Sequence, residues 1–257
     1  MANQYQRAQS AVLTDAQGRP IDRASYDEGL RKFMLRVYNY MILALLIAGG
    51  TAFAISSVAP LQELFFNVQV QGGQAYITGY SAVGWVAVLG TLGLLLFSGT
   101  IMQGRSVAAA QAVFWLLAAG IGVSVAATLI MYTGHSVARV FLITAATFAA
   151  VSLYGYTTKR NLEGIGRFAF IGAIVLLAVS MVNIFLGSSM LVLAISGFGV
   201  VIAVAMIAAN TQMLKELYAE EVSTEQNEKM AILGALGLFV WFVNLFQFLM
   251  IFLGQRE

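Results

Sequence analysis

The side chains that could do chemistry in this chain are few, and almost all of them are neutral. "NTQ", Asn210-Thr211-Gln212, closes a long apolar run just before the charged stretch "KELYAEE". Asn183 sits in "MVNIFLG", and Asn244 and Gln247 in "WFVNLFQFL". Amide and hydroxyl oxygens can coordinate a hard cation or hydrogen-bond a neighbouring helix, but they do not titrate. The 257 residues include no cysteine and one histidine, His135, so thiolate chemistry and transition-metal sites have no ligands to use. No Ser-His-Asp set, HExxH motif or phosphate-binding glycine loop is present, and the two aspartates of an intramembrane protease are missing. The residues thus point to no enzyme and no cofactor, and nothing in them addresses nucleic acid.

Those groups must be held by helices. The chain is 60% hydrophobic and 10% charged, against about 45–50% and about 25% in a soluble domain. Its apolar residues fall into seven blocks, near 36–58, 82–103, 107–131, 137–156, 166–186, 189–212 and 231–253, each near the ~20 residues needed to cross a bilayer. Backbone in lipid must satisfy its own hydrogen bonds, and the blocks lack the alternation of a barrel strand, so all seven read as transmembrane helices. All 12 acidic residues lie outside these blocks. The seventh is apolar on every side, with Phe239, Trp241, Phe242, Phe246 and Phe248, which fits a central position. Trp241 falls deep in it, where an indole N–H would need a partner.

With the N-terminus in the cytoplasm, 12 of the 14 Lys and Arg residues lie inside; only Arg139 and Arg256 lie outside. The positive-inside rule sets that orientation, and seven spans put the C-terminus outside. Residues 1–30 are a polar cytoplasmic tail without the apolar centre of a signal peptide, so the first span must direct insertion. Residues 31–257 form one membrane domain. Its external loop, about 66–79, alternates around Gly72-Gly73 like a two-residue hairpin. Pairing across that turn sets Val70 opposite Ala75 and Val68 opposite Ile77, and with Tyr76 these residues offer a docking loop for a partner. Small residues such as Gly84, Gly90, Gly93, Gly122 and Gly199 read as close-packing surfaces between helices.

"LRVYNYM", "SLYGYTTKRNL", "VNIFLGSS", "NTQMLKELY" and "VNLFQFLMIFLG", in that order and in successive spans, resemble the bacterial branch of the Bax inhibitor-1 family over roughly residues 30–254. The resemblance implies an all-α integral protein of the bacterial inner membrane, with six helices around a central seventh. It also implies one of two activities: a pH-gated calcium leak, or modulation of a membrane protease. Members with the leak carry an aspartate near the end of helix 6 and another in helix 7. Asn210 and Trp241 stand at those positions here. Two close carboxylates share a proton and attract a dication; Asn210 keeps one neutral oxygen and Trp241 none. The expectation is therefore a protein without the calcium and pH switch, acting on another membrane protein within the bilayer, with a calcium or cation leak as the alternative.

Overall fold

The computed structural model describes residues 13–14, 20–21, 23–71, 74–218 and 224–255. Two short strands, β1 (Leu13–Thr14) and β2 (Pro20–Ile21), pair antiparallel ahead of the first helix. Helix α1 (Arg23–Ser57) begins well before the apolar block near residue 36. Leu30, Phe33, Met34 and Val37, three or four apart, are all buried. That stripe packs on the bundle and carries the helix into what composition reads as tail. A short helix α2 (Ala59–Phe65), with proline in its first turn, leads into strands β3 (Phe66–Gln71) and β4 (Gln74–Tyr80).

The long helices that follow are α3 (Ala82–Gln103), α4 (Val107–Met131), α5 (Gly134–Thr157), α6 (Glu163–Leu186), α7 (Ser189–Leu217) and α8 (Thr224–Leu253). With α1 they make seven helices long and apolar enough to cross a membrane. Four of them start on a hydroxyl cap: Ser81, Ser106, Thr133 and Ser188 each accept from the backbone N–H three residues on. Helix α6 ends at Gly187, whose φ of 61° is left-handed, a conformation that costs other residues about 1–2 kcal/mol.

Helix α8 occupies the centre. From Ala231 to Met250 every residue is buried or half-buried. It touches α1, α3, α4, α5 and α7. Helix α6 departs from a ring of six: it packs chiefly on α7, buries only Ala169 and Asn183, and leaves Phe185 90% exposed. Its Gly166 and Gly172 lie against Ala209 and Ile202 of α7. A Cβ at Gly122 would meet the Ala48 carbonyl at 2.6 Å, and one at Gly155 would collide with the Ala208 carbonyl, so these glycines set the α1–α4 and α5–α7 approach. A Cβ at Gly90 or Gly93 would meet nothing within 4 Å, so these two are not close-packing surfaces between helices.

The ends of the bundle differ. Arg36, Arg160 and Lys215 mark one, called here the basic end, and the β3–β4 hairpin marks the other. At the hairpin end the backbone after α8 is tied down: Ser136 Oγ accepts from Gln255 N at 2.9 Å, and Thr133 N donates to Gln255 O at 3.0 Å.

Candidate functional site

The polar residues of the "NTQ" stretch gather at the basic end, where α1, α5 and α7 meet. Thr211 is fully buried and donates to the Ile207 carbonyl at 2.8 Å, the back-bond open to a hydroxyl within a helix. Its oxygen is 3.1 Å from Ser152 Oγ on α5, which is 2.7 Å from Tyr38 Oη on α1. Three helices are thus linked by a string of hydroxyls. Gln212, also buried, uses both ends of its amide. Oε1 accepts from Leu162 N at 2.7 Å and Nε2 donates to the Arg160 carbonyl at 2.8 Å, clamping the α5–α6 loop to α7. Lys215, one turn on, donates to the Tyr156 carbonyl at 3.0 Å and lies 5.6 Å above that ring.

Asn210 points elsewhere. It is half-buried, and its amide nitrogen is 3.7 Å from where a Cβ on Gly237 of α8 would stand. Trp241 lies one turn beyond Gly237, so both positions fall on the α7–α8 contact. The Trp241 indole is half-buried against the core and makes no hydrogen bond among the described residues, contrary to the expected partner. Asn210 also lines a cavity of about 400 Å³ with Glu163, Arg167 and Glu216. Glu163 pairs there with Arg167, both well exposed.

A second polar group lies where α1, α4 and α8 meet. The Glu228 carboxylate takes an ion pair from Arg36 and a 2.5 Å hydrogen bond from Tyr40 Oη, which accepts from Gln111 Nε2 at 2.6 Å. The Glu228 side chain is 21% exposed. Glu228 lies outside the seven apolar blocks, but α8 extends through it. The signal was the spacing 228, 231, 232, 235, 238, 239, 242, a three-and-four stripe whose apolar members are all buried. Among the described residues no group of three or more His, Cys, Asp or Glu side chains could hold a metal.

The other intramembrane amides have distinct roles. Asn183 is a local cap, its Oδ1 accepting from Ser188 N at 3.1 Å. Asn244 donates to Val240 O in its own helix at 2.9 Å. Only Gln247 bridges helices, its Oε1 accepting from Thr128 Oγ1 on α4 at 2.8 Å. None of the three joins the basic-end cluster.

In the hairpin, Val68 stands opposite Ile77 and Val70 opposite Ala75 along the backbone. A bulge falls between Asn67 and Val68. Gly72 and Gly73 lie outside the described residues, as do the side chains of Val70 and Tyr76. The base of the hairpin rests on the bundle: Phe66 is buried with Ala52, Ile55, Val123 and Ala126, and Ile77 and Tyr80 pack on them. Burial raises the Tyr80 phenol above its ordinary pKa, and a hydrogen bond to Ser124 opposes that shift.

Residues 30–257 match the family described as "Inhibitor of apoptosis-promoting Bax1". A protein of uncharacterized function from Caulobacter vibrioides is 42% identical, covering 93% of this chain and 95% of its own length. One from Rickettsia prowazekii is 41% identical over 91% and 93%. Inner membrane protein YbhL of Escherichia coli is 34% identical over 89% and 94%. With seven membrane-spanning helices and a match across nearly all of them, the chain belongs to the Bax inhibitor-1 family of integral membrane proteins.

Proposed function

We propose that this protein is a non-enzymatic regulatory or interaction subunit for another membrane protein, such as a membrane protease, and that it lacks the family's calcium and pH switch. The observation that carries this reading is the α7–α8 contact itself. At Asn210, Gly237 and Trp241 it offers one neutral amide, a glycine and an indole. No proton can be exchanged there near neutral pH, and the indole supplies no oxygen to a dication. The carboxylates that share a cavity with Asn210 lie on its α6 side, exposed and, for Glu163, paired. The placement in this reading is an inner membrane, as for YbhL, with the basic end and the N-terminus cytoplasmic and the C-terminus outside. The β3–β4 hairpin is then an external docking loop, seated on the bundle at its base by Phe66, Ile77 and Tyr80.

The alternative, a calcium or cation leak, draws on the same 400 Å³ cavity, where Asn210 shares the lining with Glu163 and Glu216. Calcium efflux from proteoliposomes at acidic and neutral pH separates the two. The native chain is expected to stay tight at both pH values, and an Asn210→Asp/Trp241→Asp double variant to gain a pH-dependent leak. A pH-dependent leak through the native chain overturns the proposal.

A further inference from the structure

Helices α1 and α5 are not packed along their length. They are bridged by the Tyr38–Ser152 hydrogen bond and otherwise flank two cavities that open sideways, both ending on Phe242 of the central helix. The one toward the basic end has a volume of about 840 Å³, within the range of about 300–1,000 Å³ typical of small-molecule sites. Its walls are chiefly apolar: Met34, Met41 and Ile42 on one side, Ala145, Phe148 and Ala149 on the other.

The dimensions and charge of this cleft choose its occupant. On α1 it runs from Arg31 to Ile42, and on α5 from Tyr156 back to Ala145. Eleven residues of helix rise about 16 Å, which is roughly half of a ~30 Å hydrocarbon core. The cleft therefore spans one leaflet, and Phe242 closes it at the depth where the opposing chains would meet. Its outer mouth carries Arg31, which forms no ion pair among the described residues, and its floor near that mouth carries the Tyr38 and Ser152 hydroxyls. Apolar length of one leaflet with a cation at the headgroup level matches an anionic phospholipid.

We infer that the cleft between α1 and α5 binds one anionic phospholipid, with an acyl chain along Met34, Met41, Phe148 and Ala149 and its phosphate on Arg31. The inference is independent of the regulatory role proposed above. A bound chain would fill the groove that ends on Phe242, completing the wall that α1 and α5 do not close by themselves.

Native mass spectrometry of the purified full chain in mild detergent tests it, with dioleoylphosphatidylglycerol and dioleoylphosphatidylcholine titrated in turn. One phosphatidylglycerol should be retained, favoured about fivefold over phosphatidylcholine, since a basic side chain near an anionic surface contributes about 1 kcal/mol. Arg31→Gln should equalise the two lipids. Ala149→Trp, at an exposed cleft position, should remove the retained lipid, whereas Leu177→Trp on the outer face of α6 should not. Retention unchanged in Ala149→Trp overturns the inference, because the lipid would then be bound elsewhere. So does the outcome in which an Ala149→Cys variant of this cysteine-free chain cross-links in membranes to another polypeptide, since the cleft would then hold a partner's helix.

Discussion

Replacing Gln212 by alanine removes both hydrogen bonds of the clamp on the α5–α6 loop. The two losses are unequal. Leu162 is 3% exposed, so its N–H has no water to turn to; a buried donor left unsatisfied costs about 1–3 kcal/mol. The carbonyl of Arg160 belongs to an exposed residue and can be rehydrated, so that loss is nearer ~0.5–1 kcal/mol. Freeing a buried glutamine side chain returns roughly 1.5 kcal/mol of rotamer entropy to the ledger. The balance is about 0–2.5 kcal/mol against the closed loop with a midpoint of ~1.2 kcal/mol, which at tenfold per 1.4 kcal/mol is about sevenfold more opening at the midpoint and about 60-fold at most. Amide hydrogen exchange in detergent micelles reads this directly, as faster exchange over residues 160–164. Gln212→Glu keeps an acceptor for Leu162 but faces the Arg160 carbonyl with an oxygen, so it should fall between native and alanine. If exchange in Gln212→Ala stays within about twofold of native, the clamp does not hold the loop and the reasoning fails.

Four further expectations follow from the same geometry. Glu228→Ala strands the Arg36 guanidinium and Tyr40 hydroxyl and should cost about 1–3 kcal/mol in reversible mixed-micelle unfolding, while Glu228→Gln, still able to accept from Tyr40, should cost less. Gly155→Ala drives a Cβ into the Ala208 backbone and should lose about 1–3 kcal/mol in the same assay. Gly90→Ala meets nothing and should be neutral or stabilising by about 0.5–1 kcal/mol. Gly187→Ala forces a side chain onto a φ of 61° and should cost about 1–2 kcal/mol, seen as loosened protection at the α6–α7 turn; equal protection would mean that the turn relaxes to another shape.

The seven spans were legible because crossing a bilayer requires a length of apolar chain that composition displays openly. The Val68–Ile77 register was legible because a strand alternates with period two. Other features were hidden for a physical reason peculiar to membranes. Lipid tails and neighbouring helices are equally apolar, so a residue facing one reads like a residue facing the other. Hence α6 could not be told from a helix of the inner ring, and Gly90 and Gly93 could not be told from Gly122 and Gly155. Glu228 was hidden by its charged neighbours, which suggest a loop, although its place in the three-and-four stripe of α8 was there to be counted. Among the polar residues at the end of α7, Asn210 stood out in the sequence because it closes a long apolar run. The working contacts of Gln212 did not, because its partners are backbone groups of a distant loop that leave no mark on side-chain types.

The central place of α8 also bears on how the protein is made. This helix is synthesised after α6 and after the five long helices it touches. At about 5–20 residues per second, its 30 residues take roughly 2–6 s to emerge. During that interval the earlier helices are in the bilayer without the surface on which Val37, Phe114 and Ile207 are to be buried, and the hydroxyl and amide groups that will face α8 have only lipid or one another. The newborn protein is thus an open arc before it is a bundle, and insertion machinery or a membrane chaperone that shields such an arc would act on this chain late, at the arrival of its last helix.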